Sequence, residues 1–505
     1  MTALMVIVFY LLLLLGLGVA SSRFFKGTAA DYFVASHSIG PFLLLMSIFG
    51  TTMTAFAMVG STAKAYTTGI GVYGLMASWS GLIHSAVFFL IGIKLWAIGK
   101  RNGYVTQIQF FRARFESEAI GYFLFPILVG LVIPYLLVGI IGAGRVITPI
   151  TIGSFPNAFE ATRGGIPPWL TGLSISLVVL IYVFFGGLRG AVWANTFQTI
   201  VFMTTGVIAF YLISTRLGGA AVASERVLEN APQLAAREGL IGKGEFLTYC
   251  FVPLSVGMFP HLFQHWLTAK SAKTFRLTVI AHPVFIMIVW LPCILIGIWA
   301  AGVQIKVPNP NAVLGRMVSE YIHREWLSGL LGAGVLAAIM SSLDSQFMCL
   351  GTIFTNDVVI HHFGEKRFND RQRVLMARLF IVAIVTFTYL LSLLEAPLVF
   401  DLGVWCFSGF ASLFPLVFAA VYWRGVTKAG AIASILATAA VWGVLFYRDM
   451  ILGHGSEEEL LIYGMMPVTI IFASSLVSLV VVSLFTKPPS KATIDKFFLE
   501  KVSRA

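Results

Sequence analysis

LAAIMSSLDSQFMCLGTIFTN, Leu336–Asn356, is an apolar run that nevertheless carries Ser341, Ser342, Asp344 and Ser345 within about one turn. Read as a helix, it places Ser341, Asp344 and Ser345 at i, i+3 and i+4 on one face, and Ser342 with Ser345 at i, i+3. The result is an oxygen-rich stripe in a segment otherwise suited to hydrocarbon. A carboxylate at the centre of a membrane helix costs about 2.5–3.5 kcal/mol on insertion scales, so it is a functional-site hypothesis with a partner to be found. The plainer alternative is a polar seam that only holds helices together.

Working outward, the 505 residues are 58% hydrophobic and 11% charged, which places the chain among polytopic membrane proteins. Apolar runs of about 20 residues number thirteen, centred from near residue 12 to near residue 473. That leaves no room for a soluble catalytic domain. Residues 3–21 could be a secretory signal, with GLGVASS as a cleavage site, but no basic segment precedes them, and they are read as a true first helix. Cys250, Cys293, Cys349 and Cys406 are far apart and lie inside apolar runs, so they form neither a disulfide framework nor a zinc spacing.

The net charge of +12 does not call for nucleic acid once its placement is followed. With thirteen spans, most Lys and Arg fall on loops of one side, among them Arg23, Lys26, Lys100, Arg101, Arg112, Arg114, Arg189, Lys270, Arg371 and Arg373, with Lys487, Lys501 and Arg504 in the tail. Arg163, Arg216, Arg226, Arg237 and Arg324 belong to the sparser opposite set. The positive-inside rule then puts the N-terminus outside and the C-terminus in the cytoplasm of a plasma (inner) membrane protein. Residues 1–486 read as one transmembrane transporter domain, and 487–505 as a basic, solvated, lipid-facing cytoplasmic tail.

Two spans look interrupted. In the second, GTTMTAFAMVGS (Gly50–Ser61) sets Gly50, Thr51, Thr52 and Thr54 in mid-membrane, the composition of a helix that unwinds and frees carbonyl oxygens. In the seventh, LSVGMFPHLFQHW (Leu254–Trp266) carries Gly257 and Pro260, with Pro253 just before it. Corresponding breaks five helices apart point to a binding site between inverted repeats, at about 39–215 and 246–423. His261 and His265, at i, i+4, could be half a metal site, but no third ligand or HExxH pattern accompanies them. His261 fits better as polar lining of the broken helix. Residues 216–245 read as an outer loop with an amphipathic helix.

The chain resembles the sodium:solute symporter family of LeuT-like inverted-repeat transporters. The resemblance rests on Gly40-Pro41, YLLVGIIGAGR at Tyr135–Arg145, GGLRGAVWANTFQ at Gly186–Gln198, PHLFQHWLTAK at Pro260–Lys270 and AAIMSSLDSQ at Ala337–Gln346. It implies an all-α polytopic protein of 13 transmembrane helices, a five-plus-five inverted repeat with broken second and seventh helices. Sodium is the implied coupling ion, held by the carbonyls of Gly50, Met53 and Ala338 and the hydroxyls of Ser341 and Ser342. Five neutral oxygens suit a hard cation. An Asp that some members place on the sixth helix corresponds to Asn195 here, whereas Asp344 stands where they have a hydroxyl. Asn195, Asp344 and Ser345, beside Ser341, could therefore hold a second cation, conduct a proton, or only hydrogen-bond.

For the solute, the resemblance points to Tyr135, Thr52 and Val252. Tyr135 matches a substrate-contacting tyrosine of the proline branch. That branch's aspartate and tryptophan correspond to Thr52 and Val252, which argues away from proline, and Ala57 and Gly74 argue away from sugars. The expected function is sodium-coupled uptake of a small organic solute bearing a carboxylate, such as a monocarboxylate or an amino acid. Arg145 could attract it, though a snorkelling helix-end arginine accounts for that residue equally well. Alternatives are a proton-coupled carrier using Asp344, and a membrane sensor, which would need more chain than follows Thr486. An enzyme is not expected, because Ser341 has no base at a sequence-evident spacing.

Overall fold

The structure is a computed structural model that describes residues 1–21, 28–238, 240–394, 398–452 and 460–498. Ser22, Arg23, Lys26, Lys501 and Arg504 lie outside the described residues. Among those described, the chain is helical, with two isolated β-bridges, Ile39 to Ala269 and Ile462 to Met465.

The long apolar runs become helices because a backbone in hydrocarbon can satisfy its polar groups only within the segment. In chain order they are α1 (Thr2–Ser21), α2 (Pro41–Thr52), α3 (Phe56–Thr68), α4 (Tyr73–Asn102), α5 (Glu118–Ile150), α6 (Pro168–Arg216), α7 (Lys243–Gly257), α8 (Pro260–Thr268), α9 (Ala272–Gly302), α10 (Glu325–Phe363), α11 (Asp370–Leu391), α12 (Val399–Tyr422), α13 (Lys428–Leu452) and α14 (Pro467–Leu484). Among the described residues nine are long and apolar enough to cross a membrane, or eleven if each bent pair, α2 with α3 and α7 with α8, counts as one span. Proline opens α2, α6, α8 and α14, where its missing N–H removes nothing.

The bends measure 59° between α2 and α3 and 52° between α7 and α8. Each has a local cause. α2 stops where Thr52 Oγ1 donates to the Phe49 carbonyl at 2.9 Å and Met53 turns extended. Thr54 Oγ1 then accepts from the Phe56 N–H at 3.0 Å and opens α3. At the second break Phe259 is extended and Pro260 starts the next helix. The start of α2 and the end of α8 are tied together, since Ile39 N–H donates to Thr268 O and Lys270 N–H to Ile39 O, both at 3.0 Å.

At 49 residues α6 would reach roughly 70 Å at 1.5 Å per residue, over twice the hydrocarbon thickness. Gly187 breaks it, with φ 57° and ψ −158°. A Cβ there would lie 2.6 Å from the Tyr32 ring, so glycine is needed for both conformation and space.

α10 is the central strut. It buries 83% of its apolar window, against 28% for α13 and 33% for α14, and packs on α6, α1 and α5. The segment 216–245 contains the expected helix, Ala220–Asn230. The tail differs from the sequence reading. Lys491–Phe497 is a helix with Phe497 buried against Phe110 of the short helix Gln107–Phe115, so this part of the tail is docked rather than free in solvent. Phe497 supplies the apolar contact that a count of basic residues overlooks.

Candidate functional site

The hydroxyl-rich face of α10 meets the end of α2. Ser341 Oγ lies 2.8 Å from the Gly50 carbonyl and 2.9 Å from the Ala338 carbonyl, so its single proton is shared between two acceptors. Three of the five oxygens expected around sodium are thus adjacent. Gly50 also lets α2 lie close against α6, since a Cβ there would sit 2.6 Å from Thr199 Oγ1, a group that itself donates to Met46 O at 2.9 Å. Met53 is the C-cap of α2 with φ −91° and ψ 98°, and the last carbonyls of a helix lack helical partners. Ser342 Oγ accepts from Gln346 Nε2 at 2.6 Å. The donor set, neutral and oxygen-only, fits a hard monovalent cation carried as cargo.

One turn on, Asp344 has no basic partner but is well supplied with donors. Tyr182 donates to its Oδ2 at 2.9 Å and Ser345 Oγ lies 2.9 Å from Oδ1. With its NH2 turned to the carboxylate, Asn195 donates to Oδ2 at 2.8 Å and to Oδ1 at 3.0 Å, and its own oxygen lies 2.9 Å from Ser345 Oγ, whose single proton it shares with Asp344. A chain continues outward, with His265 Nε2 2.9 Å from Ser345 Oγ and Ser47 Oγ 2.9 Å from His265 Nδ1. Four elements, α2, α6, α8 and α10, therefore meet in one buried hydrogen-bonded network. Satisfied networks of this kind hold a single arrangement, whereas partial ones are costly.

Between the two breaks lies a narrow cavity lined by Thr52, Tyr135 and Val252 together with Phe56, Ser80, His84, Tyr249, Pro253, Ser255, Val256, Phe259, Trp290 and Phe407. All three solute positions expected from the sequence face it. Its lining carries no Asp, Glu, Lys or Arg. Arg145 does not line it. Rings crowd one side: Phe56 to Phe407 at 4.9 Å, Tyr135 to Phe407 at 5.0 Å and Tyr135 to Phe259 at 5.3 Å. The apolar walls with a few polar groups are those of a small-molecule site.

A family model described as the sodium:solute symporter family matches residues 32–438. This chain belongs to that family. It is accordingly a sodium-coupled, multi-pass transporter and not an enzyme, and sodium is its coupling ion. Among symporter relatives, the osmoregulated proline transporter of Bacillus subtilis (strain 168) is 24% identical over 483 residues, covering 92% of each chain. The sodium/proline symporter of Staphylococcus aureus (strain JH9) is 24% identical over 512 residues, covering 97% of this chain and 93% of its own. A solved Na+-coupled sialic acid symporter, in a substrate-bound outward-open state, superposes with a TM-score of 0.75 at 18% identity, over 97% of this chain and 99% of that one. That likeness shows the fold.

Sequence reasoning missed Ser80, His84 and Trp290 on the cavity wall, and Tyr182, Ser47 and the bridging role of His265 around Asp344. A histidine inside an apolar span was the available signal for His84 and for His282 behind it. Tyr182 carried none. His261 packs on Phe259 at 5.1 Å and near Tyr135 at 5.7 Å, and is not among the cavity's lining residues. Among the described residues no three His, Cys, Asp or Glu side chains are grouped to hold a metal.

Proposed function

We propose that the chain is a sodium symporter that takes up a small carboxylate-bearing solute through the cavity between α2/α3 and α7/α8. Sodium is bound by the carbonyls of Gly50, Met53 and Ala338 and by Ser341 and Ser342. The observation that carries this is the Ser341 hydroxyl, 2.8 Å from the Gly50 carbonyl at the helix break. Replacing that direct contact by a cation would join α2 to α10 and fix the break that carries Thr52 on the cavity side. Thr52 faces the solute cavity from the same helix break that carries the Gly50 and Met53 carbonyls. One break thus serves both sites, and solute and sodium should each tighten the other's binding by the same factor.

The reading extends to thirteen spans, supported by the division of α6 at Gly187 and by α1 packed on α6 and α10. It also includes repeats at about 39–215 and 246–423, the N-terminus outside, the C-terminus inside and residence in the inner membrane. Asn195, Asp344 and Ser345 we assign to a fixed polar joint beside the sodium site, because Asp344 already receives hydrogen bonds from Tyr182 and Asn195 and lies 2.9 Å from Ser345 Oγ.

Proline transport by two relatives makes L-proline the first solute to try. Uptake into proteoliposomes should follow an inward sodium gradient and rise with an inside-negative potential, which adds about 2.3 kcal/mol per charge per 100 mV. Accumulation that is equal in potassium would overturn the proposal.

A further inference from the structure

The cavity lining includes two residues with side-chain nitrogens that have no partners among the described residues. Trp290, 3% exposed, lines the cavity from α9, and its indole Nε1 is buried with no hydrogen-bond partner among the described residues. An indole N–H can only donate, so an acceptor is the one thing that satisfies it. Buried, unpaired N–H groups are rare in folded proteins because each carries the full cost of lost hydration. His84, 7% exposed, lines the same cavity from α4, and its Nδ1 is likewise buried without a partner. Ser80 stands one turn earlier on the same helical face and also lines the cavity.

The wall is held in place from behind. The His282 ring lies 5.3 Å from that of His84 and two turns before Trp290 on α9. Its Nε2 is 3.2 Å from Thr52 Oγ1. Because the Thr52 proton is directed at the Phe49 carbonyl, His282 is the donor in that contact. Phe49 and Phe88 pack edge-on against the same imidazole at 5.4 and 5.0 Å. His282 thereby fixes the cavity's donor wall to the end of α2, where the sodium ligands begin.

We propose that Trp290, His84 and Ser80 form the subsite that receives the solute's carboxylate, with the solute's apolar body against Phe56, Tyr135 and Phe407. The inference deepens the function proposed above and rests on it. A cavity whose lining carries no Asp, Glu, Lys or Arg recognises a carboxylate through N–H and O–H donors, while the co-transported sodium supplies the positive charge. A solute whose carboxylate is replaced by an amide would be rejected, since the amide offers one oxygen in place of two and adds an N–H to a wall already made of donors.

The test is thermal stability of the purified full-length protein in sodium against potassium. The added probes are L-proline, lactate, propionate and butyrate, each beside its own amide. A carboxylate should deepen the sodium-specific shift and its amide should not. Trp290→Phe keeps the ring and removes the N–H. It should weaken that carboxylate about ten- to a hundredfold, as loss of a hydrogen bond to a charged group does, and leave the shift by sodium alone intact. His84→Gln is the second variant, with the same expectation. Unchanged carboxylate affinity in both variants, equal binding of acid and amide, or no carboxylate response beside a clear sodium shift would overturn the inference and leave sodium symport standing. Absence of any sodium shift in the unaltered protein would overturn the symport reading itself, and the subsite with it.

Discussion

At Ser341 one hydroxyl stands between the carbonyl of an interrupted helix and that of its own helix, 2.8 and 2.9 Å away. Such a group was legible in the sequence because a serine stripe with an aspartate has no place in hydrocarbon unless it meets something polar. Thr52, Tyr135 and Val252 were reachable only through resemblance, and they do share one cavity. Trp290 and His84 were not legible, because Trp and His in apolar runs usually pack or hydrogen-bond, and only the structure shows their nitrogens unpaired. Gly187 shows the same limit from the backbone side. Its sequence context, Gly186-Gly187, announced a turn, but the need for glycine comes from φ 57° and a ring 2.6 Å from the missing Cβ. Gly187→Ala is expected to destabilise by at least 1–2 kcal/mol, the approximate cost of left-handed backbone alone. A lower thermal midpoint in detergent, together with reduced membrane yield, would register this.

The elements legible in advance were those defined by hydropathy and by breakers. Gly and Thr in the second span and Pro in the seventh located both breaks, and the structure gives them bends of 59° and 52°. The Ile39 to Ala269 bridge that ties the start of α2 to the end of α8 was not legible, because two residues 230 apart carry no local signal. The C-terminal helix was misread for a related reason. Charge dominated the reading of the tail, while one aromatic residue and two hydroxyls decide where it sits. Ser490 and Thr493 donate to Glu116, and hydrogen bonds first from Ser490 and then from Thr493 hold that carboxyl below the usual carboxylate range. A depressed pKa means the contact stabilises above the unfolded value and weakens as pH falls through the folded one. Docking of Lys491–Phe497 should therefore be full at neutral pH and lost only in acid, below the ordinary carboxylate value of 4.5. Glu116→Gln should reproduce the acid effect at pH 7 as faster amide hydrogen exchange in 491–497. Unchanged protection there would mean that Phe497 packing alone holds the helix.

At the scale of the whole molecule, α10 is a buried strut whose polar face is used twice, once toward the break after α2 and once in the Asp344 network that reaches α6, α8 and α2. The cavity sits on the other side of the same break, with Thr52 on its wall. On the proposed reading, ion and solute would be coupled through that shared break, as symport by alternating access requires. Family membership establishes sodium as the ion, and the geometry says where it should bind. The most direct measurement is equilibrium binding of 22Na+ to the purified protein, unaltered and as Ser341→Ala. We expect saturable binding displaced by unlabelled sodium and not by potassium, weakened at least tenfold in the variant, as loss of about 1.4 kcal/mol or more from one ligand implies. Sodium binding of unchanged affinity in a well-folded Ser341→Ala protein would contradict a site between the α2 break and α10.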